Sequence, residues 1–211
     1  MSQADVFFAS EGNAWLKRNE DKLPIENDPV LALMGQLVGL GDRVLEIGCS
    51  NGWRLKQIKS RFGMSKLCGI DPSAKAIRQA NDAIGQAKKK GIDARRGNAS
   101  YLPWDADSFD VVIYGFCLYL CDRKDLFRIV KEGDRVLEDG GVLIIHDFLT
   151  NYPCKNEYKH KEGVWSYKQA YSQLFTANPA YKELLTGSFS PETQTIALRK
   201  NIERGWPECA A

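Results

Sequence analysis

Apolar residues along this chain fall into short, nearly continuous runs, separated by stretches where they recur every three or four positions. RVLEI (43–47), KLCGID (66–71), FDVVIYG (109–115) and GVLIIH (141–146) are such runs, and residues 92–96 form a weaker one. Runs without polar alternation belong to strands buried on both faces. The intervening patterns are helical. Residues 51–62 form one, and from Ser73 to about Lys90 the positions Ala76, Ile77, Ala80, Ala83, Ile84 and Ala87 share a face. Residues 123–137 turn Leu126, Ile129, Val130, Val136 and Leu137 inward. Upstream, Asp28-Pro29 reads as an N-cap followed by proline at the first helical position, and VLALMGQLVGL carries that helix to a turn near Gly41. Alternation of this kind predicts the α/β class: a doubly wound, mostly parallel sheet with helices on both faces. The tail from residue 149 is aromatic and less regular, with one helix expected around 166–176 and strands near 183–189 and 194–200. No repeat or low-complexity linker divides the chain. The expectation is one domain over 1–211, with an N-terminal cap (1–40), a core (41–148) and a C-terminal lid helix with the last strands (149–211).

Composition changes this picture little. The 211 residues are 44% hydrophobic and 27% charged with net charge +2, enough for one sizeable core and without the imbalance that a polyanionic partner demands. The six cysteines (49, 68, 117, 121, 154 and 209) form no CxxC pair, and with two histidines available a zinc site is not expected. One or two acids near strand ends are no octahedral oxygen site either, so no metal is expected. Three of the cysteines lie in apolar runs, as small core thiols do in a reducing compartment. The start, MSQADVFFASEGNAW, lacks the pattern of a secretory signal, and no apolar run approaches the ~20 residues of a membrane span. A cytoplasmic protein without membrane contact is expected.

The candidate chemistry sits in VLEIGCSNGW, residues 44–53. In a parallel sheet, ligands bind beyond the carboxyl ends of the strands where strand order reverses. A phosphate loop needs GxxxxGK followed by Ser or Thr, and GCSNGW has no lysine in place. A dinucleotide fingerprint needs GxGxxG, but Ser50 takes the second glycine and Trp53 stands near the third. Asp71, at the end of the second strand, can accept hydrogen bonds from both hydroxyls of a ribose. Nicotinamide enzymes place an acid similarly, so Asp71 points to adenosine rather than to one cofactor.

Four segments in order carry a sharper resemblance. Glu46-x-Gly48-x-Ser50-x-Gly52 resembles motif I of class I (Rossmann-like) S-adenosylmethionine-dependent methyltransferases, with serine where the middle glycine often stands. Gly69-Ile70-Asp71-Pro72-Ser73 follows as the second segment, and Gly97-Asn98-Ala99-Ser100-Tyr101-Leu102-Pro103-Trp104 leading into FDVV as the third. Arg135-Val136-Leu137-Glu138-Asp139-Gly140-Gly141-Val142 is similar to the family's helix, glycine turn and fifth strand. Together these cover about residues 40–148. The resemblance implies a seven-stranded sheet with the last strand antiparallel, S-adenosylmethionine as cofactor and S-adenosylhomocysteine as product. It assigns Glu46, Gly48, Cys49, Ser50 and Gly52 to the cofactor loop, with Glu46 reaching the methionine amino group, and Asp71 with Pro72 to the ribose. Asn98, through its carbonyl oxygen, and Ala99, through its backbone, would meet the adenine. Tyr114 and Gly115 would bring backbone carbonyls to the methionine part.

For the transfer itself, His146 at the end of the fifth strand is the candidate base or substrate ligand; its plain alternative is a histidine that closes the strand. His160, in the basic loop KHKEG, reads as solvent-exposed. If head and tail fold over the strand ends, Trp15, Arg18, Tyr119, Trp165, Tyr167 and Tyr171 would line a pocket for a small polar acceptor, with Arg18 placed to pair with a carboxylate or phosphate. Those segments resemble loosely the heads and tails of methyltransferases from surface-sugar gene sets, a resemblance that names no substrate; the expected acceptor is oxygen or nitrogen of a small polar molecule, such as a sugar or other metabolite. The plain alternative is that these aromatics simply pack the termini onto the sheet. A nucleic-acid acceptor is disfavoured: the tail lacks a large basic region, Pro153-Cys154 is poorly placed for a nucleophile, and no Asn/Asp-Pro-Pro-aromatic run occurs. A protein acceptor, or a partner subunit that binds cofactor without catalysis, are the other readings. The pattern carries no statement of oligomeric state.

Overall fold

The computed structural model describes residues 1–82 and 91–202. Five parallel strands come first: β1 (Arg43–Ile47), β2 (Lys66–Asp71), β3 (Ile92–Arg96), β4 (Phe109–Gly115) and β5 (Leu137–Phe148). A hairpin of β6 (Cys154–Glu157) and β7 (Trp165–Lys168) stands apart. The sheet is completed by β8 (Tyr181–Ser190) and β9 (Thr193–Lys200), giving seven strands in the order β3-β2-β1-β4-β5-β9-β8. β9 enters antiparallel between β5 and β8. This is the expected doubly wound sheet with its last strand antiparallel. Strand order reverses between β1 and β4, and ligands of such sheets sit beyond the strand ends at that point.

The helices are α1 (Gln3–Val6), α2 (Gly12–Asn19), α3 (Pro29–Met34), α4 (Trp53–Phe62), α5 (Ala74–Asp82), α6 (Leu126–Val136) and the short α7 (Gln173–Thr176). Two apolar clusters fill the two faces of the sheet. One gathers Leu45, Ile47, Phe109, Val112, Tyr114 and Leu143 beneath α6. The other gathers Val44, Val111, Ile113 and Ile144 beneath α3 and α4, with Leu55 and Ile58. Neighbouring residues of one strand thus serve opposite clusters, which is why these strands read as unbroken apolar runs.

Three elements differ from expectation. α3 stops at Met34 rather than near Gly41, because Gly35 caps it and Gly39, at φ +68°, redirects the chain. Its start is as expected, with Asp28 accepting from Leu31 N–H at 3.0 Å. The helix expected over 166–176 is reduced to Gln173–Thr176: Trp165–Lys168 is strand paired with Cys154–Glu157, and residues 169–172 form the bend and turn between them. The glycine turn before the fifth strand is absorbed into β5 as an irregularity at Gly140, φ +81°, where the register with β4 jumps from Phe109↔Leu137 to Val111↔Val142. The continuation of α5 through Ala83, Ile84 and Ala87, and Cys209, lie outside the described residues.

The N-terminal segment is fastened across the strand ends. Gln3 donates from Nε2 to Leu120 O (2.8 Å) and accepts at Oε1 from Trp165 N–H (2.6 Å). Asp122 accepts from the backbone N–H groups of Gln3 and Ala4, each at 3.0 Å. Asn13 Oδ1 accepts from Ser73 Oγ and Lys75 N–H, and Arg96 donates to Phe8 O. No helix among the described residues is long and apolar enough to cross a membrane.

Candidate functional site

The loop after β1 is built from backbone that L-residues avoid. Gly48 has φ +81°, Ser50 +48° and Gly52 +68°. Gly48 is doubly constrained, since a Cβ there would lie 2.7 Å from Cys117 Cβ. Ser50, having a Cβ, bears a cost of about 1–2 kcal/mol in this region. Asp71 holds the loop in place: its Oδ2 accepts from Ser50 N–H (3.0 Å) and its Oδ1 from Ser73 N–H (2.8 Å). Each oxygen keeps an acceptor site in hand. Burial raises this carboxyl to about 6 against the two N–H bonds that lower it.

Behind the loop lies a buried charge cluster. Arg54, 4% exposed, donates Nε and Nη2 to the two oxygens of Asp28 (3.1 and 3.0 Å) and Nη1 to Glu46 Oε1. Burial works to deprotonate Arg54, but Glu46 and Asp28 outweigh it and raise its pKa. One guanidinium serves two acids, and Glu46 is left raised to about 7, by burial first and by the competing charge of Asp28. Among the described residues, the buried side-chain oxygens and nitrogens without a hydrogen-bond partner are Glu46 Oε2, Ser50 Oγ and Asn51 Oδ1. Folded proteins pair nearly all such groups. Of these, Ser50 belongs to the wall of a cavity, where a polar ligand can meet its hydroxyl.

A cavity of about 390 Å³ opens beside this loop, at the carboxyl ends of β1, β2, β4 and β5. Gly48, Ser50, Asp71, Pro72, Asn98 and Ala99 line it, as do Gly115, His146 and Trp15 from among the other expected positions. Glu46, Cys49, Gly52 and Tyr114 stand behind the wall. Glu46 faces Arg54; Cys49 packs against Gly69; Gly52 caps α4; and the Tyr114 hydroxyl donates to Ile129 O at 2.8 Å. Asn98 does not offer its carbonyl oxygen freely, because Oδ1 already accepts from Ser100 N–H (3.0 Å) and Ser100 Oγ (2.7 Å) in an Asx turn.

His146 is half-buried with Nδ1 2.8 Å from Thr195 Oγ1, across the antiparallel pair of β5 and β9. Burial, then the charge of Arg54, pushes its pKa down to about 4, so the ring is neutral at pH 7. The neighbouring Asp147 accepts from Leu118, Tyr119 and Phe148 N–H groups and organises the loop after β4.

The expected acceptor residues are brought together only in part. Arg18 is tied to Glu11 and to the Tyr158 hydroxyl (3.2 Å), away from the cavity. Tyr119 is buried. Trp165, Tyr167 and Tyr171 gather elsewhere because β7 replaces the expected helix. Arg123 lies 4.4 Å over the Tyr167 ring and donates to the Tyr171 hydroxyl, while Lys155 covers Trp165. His160 is exposed, as read from its loop.

Arg54, Phe116, Phe7 and Cys117 also line the cavity and were not foreseen. Arg54 had a signal, since it shares a helix face with buried Ile58. Phe116 had none. Its φ of +60° is set by the return from β4, where its N–H donates to His146 O at 2.7 Å. For a bulky side chain that conformation costs about 1–2 kcal/mol. Among the described residues no group of three or more His, Cys, Asp or Glu is clustered as a metal site.

Residues 45–145 match the family described as Methyltransferase domain. A demethylmenaquinone methyltransferase of Lactococcus lactis is 36% identical over 110 residues, 49% of this chain and 43% of that protein. The 27-O-demethylrifamycin SV methyltransferase of Amycolatopsis mediterranei is 34% identical over 113 residues, 52% of this chain and 39% of that protein. The matches therefore span less than half the length of these relatives. Among solved structures, the 1,6-didemethyltoxoflavin-N1-methyltransferase of Burkholderia thailandensis, with 1,6-didemethyltoxoflavin and S-adenosylhomocysteine bound, superposes with TM-score 0.75 at 14% identity, covering 93% of this chain and 88% of that one. The PH0226 protein of Pyrococcus horikoshii superposes with TM-score 0.65 at 16% identity over 89% and 91%. The glycine loop, the acid closing β2, the sheet order and these matches converge: residues 45–145 carry a methyltransferase domain, in a chain with the fold of class I S-adenosylmethionine-dependent methyltransferases.

Proposed function

We propose that this chain transfers the methyl group of S-adenosylmethionine to oxygen or nitrogen of a small-molecule acceptor. The observation that carries the reading is the cavity wall at the end of β1 and β2, where Ser50 Oγ is buried without a partner beside the open acceptor sites of Asp71. A nucleoside supplies complementary groups: a polar partner for Ser50 Oγ and ribose hydroxyls for Asp71. When bound, the cofactor supplies a methyl group already activated on sulfur and leaves as S-adenosylhomocysteine. The protein's work is then to align an acceptor and exclude water. His146 takes the acceptor's proton. With Nδ1–H given to Thr195 Oγ1, Nε2 keeps its lone pair for that task. The fastened N-terminal segment covers the cavity. The free thiols among the described residues suit a reducing, cytoplasmic setting. The relatives named for demethylmenaquinone and demethylrifamycin support a small-molecule acceptor over nucleic acid.

Calorimetric titration tests the reading. S-adenosylmethionine and S-adenosylhomocysteine bind with micromolar affinity and NADH does not; absence of both sulfur ligands refutes it. Asp71→Ala weakens S-adenosylhomocysteine binding about 10- to 100-fold, from loss of hydrogen bonds to a charged acceptor worth about 1.5–3 kcal/mol. Unchanged affinity in folded protein removes Asp71 from the ribose.

A further inference from the structure

Phe116 is the residue at the cavity that cofactor binding leaves unexplained. Its backbone sits at φ +60°, where glycine would be unstrained, yet it carries a large ring into the cavity wall. That ring is braced by Tyr119 and Phe148, with centroids 5.1 and 4.8 Å away, and lies 5.3 Å from the ring of His146. The N-terminal segment lines the same cavity with Phe7, Trp15, Leu23 and Ile25.

The cations on this side are already engaged, and Asp125, which also lines the cavity, is an anion. Arg54 is held by Asp28 and Glu46, Asp122 by the N–H groups of Gln3 and Ala4, and Arg18 by Glu11. Among the described residues nothing at these walls is free to neutralise a phosphate or carboxylate, and polar partners for a polyol are few. His146 is the polar group beside the Phe116 ring.

Resting on the methyltransferase reading above, we infer that the acceptor is a flat, uncharged aromatic or quinonoid ring bearing an O–H or N–H, stacked on Phe116 beneath the N-terminal segment with that group at His146. This replaces the sugar or other polar metabolite expected from the sequence. Ring–ring contact explains why a strained phenylalanine stands where glycine would be unstrained. The acceptor's proton passes to His146, and its freed electron pair forms the new bond to the methyl carbon as the methyl–sulfur bond breaks and its electrons return to the sulfur of departing S-adenosylhomocysteine.

The test is calorimetry on the intact protein saturated with S-adenosylhomocysteine, using 1-naphthol and 8-hydroxyquinoline as ring probes and glucose and glucose 1-phosphate as polar ones. The ring probes bind with micromolar affinity and the sugars do not. Phe116→Ala weakens the ring probes at least tenfold while S-adenosylhomocysteine affinity stays within about threefold. Phe116→Leu, which keeps apolar bulk without a flat face, weakens them several-fold and serves if the alanine variant does not fold. Binding of sugar without ring, binding of neither, or ring affinity indifferent to both substitutions overturns the proposal while the cofactor reading stands. Failure of S-adenosylhomocysteine itself to bind overturns both.

Discussion

Replacing Arg54 by methionine lowers the folding free energy by about 3–5 kcal/mol, a large part of the total for a domain of this size. Arg54, Asp28 and Glu46 are 4%, 2% and 1% exposed, and the guanidinium is the partner of both acids. Methionine fills similar volume, so the loss is chiefly electrostatic: two carboxylates remain buried with no counter-charge. Asp28 also caps α3, so the damage reaches the N-terminal segment. Urea denaturation followed by circular dichroism measures the effect. The pH dependence identifies its origin. Glu46 is raised to about 7 in the folded protein against 4.5 for the ordinary group. A proton bound more tightly in the folded state stabilises it, so this contribution is full below about pH 4.5 and is lost as pH rises through about 7. Without Arg54 the folded pKa climbs further, and the deficit of the variant narrows as pH falls. A deficit independent of pH would mean that packing, not charge, was lost. The triple variant Asp28→Asn, Glu46→Gln, Arg54→Met recovers most of the loss, since uncharged groups need no counter-ion.

Substituting His146 by asparagine lowers kcat by about 10²–10⁴-fold, the range for a lost general base. Affinity for S-adenosylhomocysteine changes little, because His146 faces the acceptor side of the cavity. Burial and the Arg54 charge hold the wild-type imidazole near 4. It is therefore unprotonated and competent throughout the physiological range, and the acid limb of a kcat profile falls at about pH 4 rather than near 6.5. The same shift affects stability. A histidine depressed in the folded state contributes its full share above about 6.5, and that share is lost as pH falls through about 4. Thr195→Val removes the partner of Nδ1 and, if that bond sets the tautomer, lowers kcat while leaving cofactor affinity intact. Full turnover of the asparagine variant with a phenolic acceptor would reduce His146 to a strand-closing residue.

What could be read ahead follows from what is local. The five parallel strands were visible because both of their faces are buried, and the N-cap at Asp28 because capping is a short-range bond. Gly48 and Asp71 were legible from the glycine loop and the acid at the ends of the first two strands, and Asn98 from the family resemblance. The tail misled because Trp165, Tyr167 and Tyr171 can be spaced for a helix or for a hairpin, and pairing with residues 154–157 decides between them. Arg18 looked free in sequence and is consumed by Glu11, seven residues earlier on the same helical segment. Arg54 and Phe116 escaped notice for different reasons. The first depends on meeting Asp28 and Glu46 in space, and the second on a backbone angle imposed by the neighbouring strand.

The position of β9 has a consequence for how the molecule is made. Of the sheet strands it comes latest in the chain, yet it lies inside, pairing with β5 on one side and β8 on the other. Until it docks, β5 presents a long apolar edge, Val142–Ile145, and β8 has no sheet to join. Such an open edge invites pairing with other chains. During synthesis the parallel strands can assemble as they emerge, but the edge stays unprotected until about residue 200 has left the ribosome. Thr195, the partner of His146, arrives with that same strand. The candidate catalytic histidine therefore gains its orientation in the step that seals the sheet, so a chain caught before closure would be both sticky and inactive.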